Sequence, residues 1–363
     1  MEVADLEAKL GSSDHYNKRS DPEKTPGEVD DSGDAKRPRE GDHDHNGAMK
    51  MEMDEEEEEE EDMTPYQPFG FYCKNWIMMC GHKAKFDDPT ELPPMRRTDG
   101  PMLPMRAIHV DTMEIYYVKV AQITGKLQWP LDVYGDVAVR DNLDYKRNYL
   151  FRRSRERCQI LTSPQDSLLE LAGPSRAVLL LDPADFEIFL KVKAKEESEE
   201  DTVLCCRVFG CNSIASKEVQ SYAKTKVVSS EHSTIEVKYG HLMCSLEATI
   251  TFWITSGSGN FCACFTARTA SIGEDVVLLD TRGREVSVTK DGEVVLQRRV
   301  VVVEEQGNLI LGIKAAQLDD KFESSALIEM KMDFCARSAL RSECCFEVGS
   351  TRVQTVVAWS LLP

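Results

Sequence analysis

The chain has 363 residues, 63 Asp and Glu against 44 Lys and Arg, 12 cysteines and a formal net charge of −19. Most of that charge lies in residues 1–62, where 23 acids stand against 8 bases, so the remainder is close to balance and DNA is not an expected partner. No stretch has the roughly 20 apolar residues that a membrane-spanning helix requires, and Met1 to Leu10 is charged throughout, so neither membrane association nor a signal peptide is expected.

Residues 1–62 hold few large apolar side chains and end near the run Glu55 to Glu61. Such a segment cannot bury enough surface to offset the entropy of ordering, and a disordered acidic tail is expected. It contains Lys36-Arg37-Pro38-Arg39, which is either a nuclear import address or an ordinary basic cluster of a polar segment. A cytoplasmic or nuclear location is expected, with the cysteines as reduced thiols, many of them inside strands.

Residues 63–110 form an aromatic and proline-rich lead-in. Tyr66 to Trp76 is dense in aromatics and predicts a short helix to about Cys80 that lies as a lid on the β domain. The prolines between Asp88 and Pro104 then favour an extended connector. Strands are expected from Glu114 on. Between Leu131 and Arg140 apolar and polar residues alternate, with Leu131, Val133, Gly135, Val137 and Val139 pointing one way, the period of a half-buried strand. The pattern recurs from Cys244 to Thr255. Apolar runs and turn signals then succeed one another at short intervals to the end, which predicts an all-β domain over 111–363, a β-sandwich or a barrel. Asp291-Gly292, Gly307-Asn308 and Ser256 to Asn260 read as hairpin turns. Ser216 to Thr225 and Ala315 to Asp320 are the two later segments with some helical character.

Arg176 to Leu181 followed by Phe186 to Ala194 resembles Arg299 to Val303 followed by Asn308 to Ala315, with alternating strands upstream at Leu131 and Leu246. Two similar β halves, 111–210 and 231–363 with a junction in 211–230, explain this; generic strand composition explains it too.

Several segments carry a family resemblance: Glu91 to Asp99, Trp129 to Gly135, Arg140-Asp141, Arg147 to Arg153, Gly173 to Ala177 and Phe186-Glu187-Ile188. Together they resemble a grass-expanded plant domain of unknown function, which occurs alone and also behind the toxin domain of jasmonate-induced ribosome-inactivating proteins. The resemblance spans roughly residues 90–360. It implies an all-β plant protein with a link to stress or defence, and it supplies no catalytic residues. The Glu-Ala-x-Arg helix on which the toxin's depurination depends is missing from the sequence, so that activity does not come with the resemblance.

Phosphate-binding Gly-rich loops, the nucleophile elbow and the His-Glu-x-x-His motif are likewise missing. The cysteines have no C-x-x-C pair, so buried thiols are expected rather than zinc, and Cys262 and Cys264 share one strand face as small hydrophobes. His82, His109, His232 and His241 lie beside no nucleophile motif. No enzyme, no cofactor and no metal are expected.

The most suggestive segment is Tyr145 to Arg157, with six cations and three aromatics in 13 residues. Arginines can grip phosphates while aromatic rings stack on unpaired bases. Lys146, Arg147, Tyr149, Arg152, Arg153, Arg155 and Arg157 are therefore candidate RNA or partner contacts. On a strand Arg153, Arg155 and Arg157 would line one face. Against this, the same arginines could pair with Asp132, Asp136, Asp141 and Asp144 or with the acidic tail. Three functions are compatible with these residues: a non-catalytic protein-interaction module, an RNA- or ribosome-associated protein using the basic segment, and an enzyme with a cryptic site.

Overall fold

Sixteen strands and one α-helix succeed one another along the described residues of a computed structural model, which are 67–95, 107–196, 199–211, 219–318 and 327–362. The acidic tail, the basic cluster at Lys36 to Arg39 and much of the proline-rich connector lie outside them. The chain is all-β with antiparallel pairing throughout its sheets.

The first half consists of β1 (Val110–Ile123), β2 (Leu131–Arg140), β3 (Asn148–Arg153), β4 (Gln159–Leu161), β5 (Val178–Leu179), β6 (Ala184–Val192), β7 (Thr202–Cys211) and β8 (Tyr222–Ser229). Strand β9 (Ser233–Ser256) runs 24 residues. The second half adds β10 (Phe261–Thr269), β11 (Val276–Asp280), β12 (Val300–Glu304), β13 (Asn308–Gln317), β14 (Ile328–Cys335), β15 (Arg341–Val348) and β16 (Thr351–Ser360).

Pairing repeats strand for strand. In the first half β2 joins β3, β4 and β6, and β6 joins β7; in the second β10 joins β11 and β13, and β13 joins β14. The other layer is one seven-stranded sheet spanning both halves. There the front of β9 takes β1 and β8, and its rear takes β12 and β16, with β15 beyond. Strand β9 is thus the last strand of one sandwich and the first of the next. One core holds Ile115, Val133, Ile188 and Ile235, and the other holds Ile250, Phe265, Leu311 and Trp359.

This places the division inside β9 rather than in 211–230, since β8 is the edge strand of the first half. The resemblance of 176–194 to 299–315 is that of β5–β6 to β12–β13. The upstream match is different from the one the sequence suggests: β2 corresponds to β10, and the rear of β9 to β1. Alternation at Leu131 and Leu246 reflects one apolar core face in each strand, which strands at different positions share; behind Leu246 the other face is covered as well, at Glu247, Thr249 and Thr251.

Inward residues of β9 are Ile235, Val237 and Tyr239 before the division but Leu246, Ala248, Ile250 and Phe252 after it. The change of parity is a one-residue bulge, marked by Cys244 at φ 46° and by the break in register with β1. Gly135 in β2 is required for another reason: its φ is +116°, and a Cβ there would stand 2.2 Å from the Phe189 carbonyl oxygen of β6.

Other expectations change in detail. Tyr222 to Thr225 is strand, because its side chains alternate against β9, and Ala315 to Gln317 continues β13; residues 212–218, 319 and 320 are not described. Asp291-Gly292 makes a tight turn, with Gly292 N donating to Thr289 O and Val288 bridging Val294. The Gly307 and Ser256–Asn260 connections instead cross between facing sheets, so neither is a hairpin.

Two buried carboxylates cross the seam between the halves in opposite directions. Glu114 on β1 accepts from Val302 N of β12 at 2.9 Å and from Arg298 Nη2 at 3.1 Å. Glu247 on β9 accepts from Ala177 N beside β5 at 2.7 Å and from Met95 N of the lead-in. Thr112 and Ser245, two residues before each glutamate, meet hydroxyl to hydroxyl at 2.6 Å. Burial pushes both carboxyls up to about 7, against the pull of Arg298 on Glu114 and of the two amides on Glu247.

A carboxyl raised in the fold binds more protons than in the unfolded chain, so its contribution is complete below the unfolded value near 4.5 and shrinks as pH rises to about 7. The stability advantage of the native chain over Glu247→Gln should therefore narrow from pH 4.5 to 7, read by urea unfolding. A gap that stays constant would show that Glu247 does not titrate there.

Candidate basic-aromatic site

Helix α1 (Gln67–Cys80) forms because Phe69, Cys73, Trp76 and Cys80 recur at helical spacing and bury one stripe. The stripe packs on Phe189 of β6 and Cys206 of β7 with Phe86 beside it, so the lead-in does lie as a lid on the β domain.

The basic segment is what holds that lid. Arg147 is buried; its Nε donates to Glu187 Oε2 at 2.7 Å and its Nη1 to Asp87 Oδ1 at 2.6 Å. Arg140, also buried, donates to the other Glu187 oxygen, which takes the Tyr72 hydroxyl as well at 2.9 Å. The Phe86 ring receives both guanidinium groups, at 4.4 Å for Arg140 and 4.6 Å for Arg147. Tyr149 donates to Asp87 O at 3.1 Å, and Pro89 bridges Arg147 as a short parallel pair. Desolvation and Glu187 push the Tyr72 hydroxyl far above its usual range.

The remaining cations are placed differently from the sequence expectation. Strand β3 ends at Arg153 and residues Arg155–Arg157 form a single 3-10 turn, so Arg153, Arg155 and Arg157 do not line one strand face. The bend sends Arg153 and Arg155 to separate acids. Lys146 reaches Glu91 at 3.0 Å, Arg153 reaches Glu170 at 2.8 Å, and Arg155 reaches Asp201 at 2.6 Å. Hydrogen bonding from Arg155 holds the Asp201 carboxyl well below the usual range. Arg152 lies 3.7 Å from Asp136 and 4.3 Å over the Tyr149 ring. Arg152 and Arg157 are the outward members. Of the nearby acids that the sequence offers as partners, only Asp136 takes one of these arginines; Asp141 and Asp144 bind the buried Arg176.

Elsewhere, no group of three or more metal-binding side chains occurs among the described residues. Cys73, Cys205, Cys206 and Cys211 are buried, and burial pushes the first three up to about 12. Cys244, Cys335, Cys344 and Cys345 are exposed, so the cysteines are less uniformly interior than expected. Cys262 and Cys264 do share a face, but it is the half-buried outer one, while Phe261, Ala263 and Phe265 face the core.

A family described as "Domain of unknown function (DUF6598)" matches residues 112–357. The chain belongs to that family. No curated protein matches it. Among solved structures it is similar to human GIVD cytosolic phospholipase A2, with 9% identity and a TM-score of 0.23 over 71% of this chain and 31% of that one. It is also similar to the tandem C2 domains of extended synaptotagmin 2, with 7% identity and a TM-score of 0.24 over 73% of this chain and 94% of that one. The chain thus spans about a third of the phospholipase, and likeness at these scores says nothing about its chemistry.

Removing one partner of a buried ion network leaves uncompensated charge, at a cost of about 3–5 kcal/mol. Glu187→Ala strands Arg140 and Arg147 and should cost that much in urea unfolding, with a red shift of Trp76 emission as the lid loosens. Arg152→Ala should stay within about 1 kcal/mol, as exposed pairs do. Equal effects from the two substitutions would contradict the division into inner and outer cations.

Proposed function

We propose that this chain is a non-catalytic interaction module, a β-rich scaffold that binds a protein partner, in the setting of plant stress or defence. One observation carries the reading. Helix α1 buries one stripe and presents a second apolar face outward, with Phe71 60%, Met78 77% and Met79 65% exposed. Exposed apolar groups gathered on one element mark interaction surfaces, and methionine adapts to varied partners. The lid is held rigidly enough by the Glu187 network to present that face. Among the described residues β14 and β15 are edge strands, a further surface. The stress or defence setting, and a cytoplasmic or nuclear location, rest on the sequence resemblance of residues 91–194 and on the composition.

A second reading, RNA or ribosome association, rests on Arg152 above Tyr149 with Arg157 nearby, the part of the basic segment that faces outward.

Affinity capture by the tagged chain from plant extract, with and without ribonuclease, separates the two. The module reading expects captured proteins to survive ribonuclease and to be lost with Phe71→Ser/Met78→Ser/Met79→Ser. Partners lost on ribonuclease treatment, and lost with Arg152→Ala/Arg157→Ala but kept by the helix variant, would replace it with the RNA reading.

A further inference from the structure

We propose that the cleft between β7 and β8 binds a small phosphate monoester. The cleft has a volume of about 240 Å³ and lies on the open side of the first sandwich, between the edges of its two sheets. Phe209, Gly210 and Cys211 at the end of β7 form one wall; Tyr222, Lys224 and Lys226 of β8 form the other; His241 of β9 lies at its base.

Because side chains alternate along β8, Tyr222, Lys224 and Lys226 share one side. Both lysines are exposed, and among the described residues neither ammonium group makes a hydrogen bond or an ion pair. The Lys226 ammonium lies over the Phe209 ring, 5.8 Å from its centroid. This sets them apart from Lys146, Arg153 and Arg155, each of which is matched to an acid.

His241 supplies the second element. It is 5% exposed, its Nε2 lies 2.8 Å from Asp111 Oδ2, and its Nδ1 is buried without any partner. The Tyr222 ring stands edge-on to it at 5.4 Å. With Nε2 donating to the carboxylate, Nδ1 carries a lone pair that can accept a hydrogen bond. A phosphate monoester meets both demands. The lysines match its negative charge, and near neutral pH, close to its second ionisation near 6, its singly protonated form keeps a P–O–H that donates to the Nδ1 lone pair. A carboxylate offers one charge, and sulfate offers two charges but no proton.

Among the described residues no acid lines the cleft; Asp111 beside it is engaged by His241 and by Cys244 N, and Asp185 turns to the other face of β6, toward Tyr72. Cys211 is not a nucleophile here, since burial pushes its thiol up to about 11. The arrangement binds and does not react.

The duplication provides an internal comparison. The matching cleft of the second sandwich, between β14 and β15, is larger at about 740 Å³, and its cations Lys331, Arg337 and Arg341 are interspersed with Asp333 and Glu343. Among the described residues no histidine lines it. The scaffold is repeated, and the phosphate chemistry is in one copy only.

Isothermal titration of the full chain with glucose 6-phosphate, inorganic phosphate and sulfate tests the assignment. Both phosphates should bind in the micromolar to low-millimolar range, about tenfold tighter than sulfate, with glucose giving no heat. Lys224→Ala/Lys226→Ala should weaken phosphate binding at least about tenfold, while Lys331→Ala should not. Both lysines are exposed, so an unchanged melting temperature will confirm that the variant folds. Absence of phosphate binding up to about 10 mM, sulfate binding as tightly as phosphate, or equal affinity in the double variant would each overturn it.

Discussion

Strand β9 has to satisfy two cores at once, and the rest of the structure depends on how it does so. Its front half must present odd-numbered side chains inward and its rear half even-numbered ones, which a regular strand cannot do. The bulge at Cys244 makes the change, and at the seam beside it the amides of Val302 and Ala177 find their partners in the other half. Glu114 and Glu247 close that seam by reaching across it in opposite senses, each capping a backbone amide in the other half. Buried carboxylates are costly unless hydrogen-bonded. These two are bonded to groups that only the assembled halves supply, so each half's stability depends on the presence of the other.

The same economy governs the lead-in. Glu247 holds Met95, and Glu187 gathers Arg140, Arg147 and Tyr72 around the Phe86 ring. A cluster of cations and aromatics that looks in sequence like a nucleic-acid contact is, on its inner side, the fastening of a helix to a sheet. Its outer side leaves Arg152 and Arg157 facing solvent. Charges free of acidic partners occur on a different strand, β8, which carries no conspicuous motif.

How far the sequence can be read depends on the range of the interactions. The alternation from Leu131 to Arg140 is a local consequence of one apolar core face, and β2 covers those residues. The spacing of Phe69 to Cys80 likewise marks α1. Segments whose state is set by distant partners are less legible. Tyr222 to Ser229 is a strand because it pairs with β9, and the turn at Gly307 joins different sheets although its residues suit a hairpin. For the basic segment, the aspartates near in sequence are the obvious partners, whereas Asp87, Glu170, Glu187 and Asp201 are brought in by the fold. The β7–β8 cleft has no trace in the sequence, since Phe209, Lys224 and His241 come from three strands and meet only after the sandwich closes.

If the shared strand and the crossed carboxylates bind the halves into one cooperative structure, the full chain should unfold in a single transition. Differential scanning calorimetry measures this directly. The account predicts one endotherm whose calorimetric and van't Hoff enthalpies agree. Two resolved transitions, or a calorimetric enthalpy about twice the van't Hoff value, would mean that the sandwiches melt independently and that the seam does not couple them.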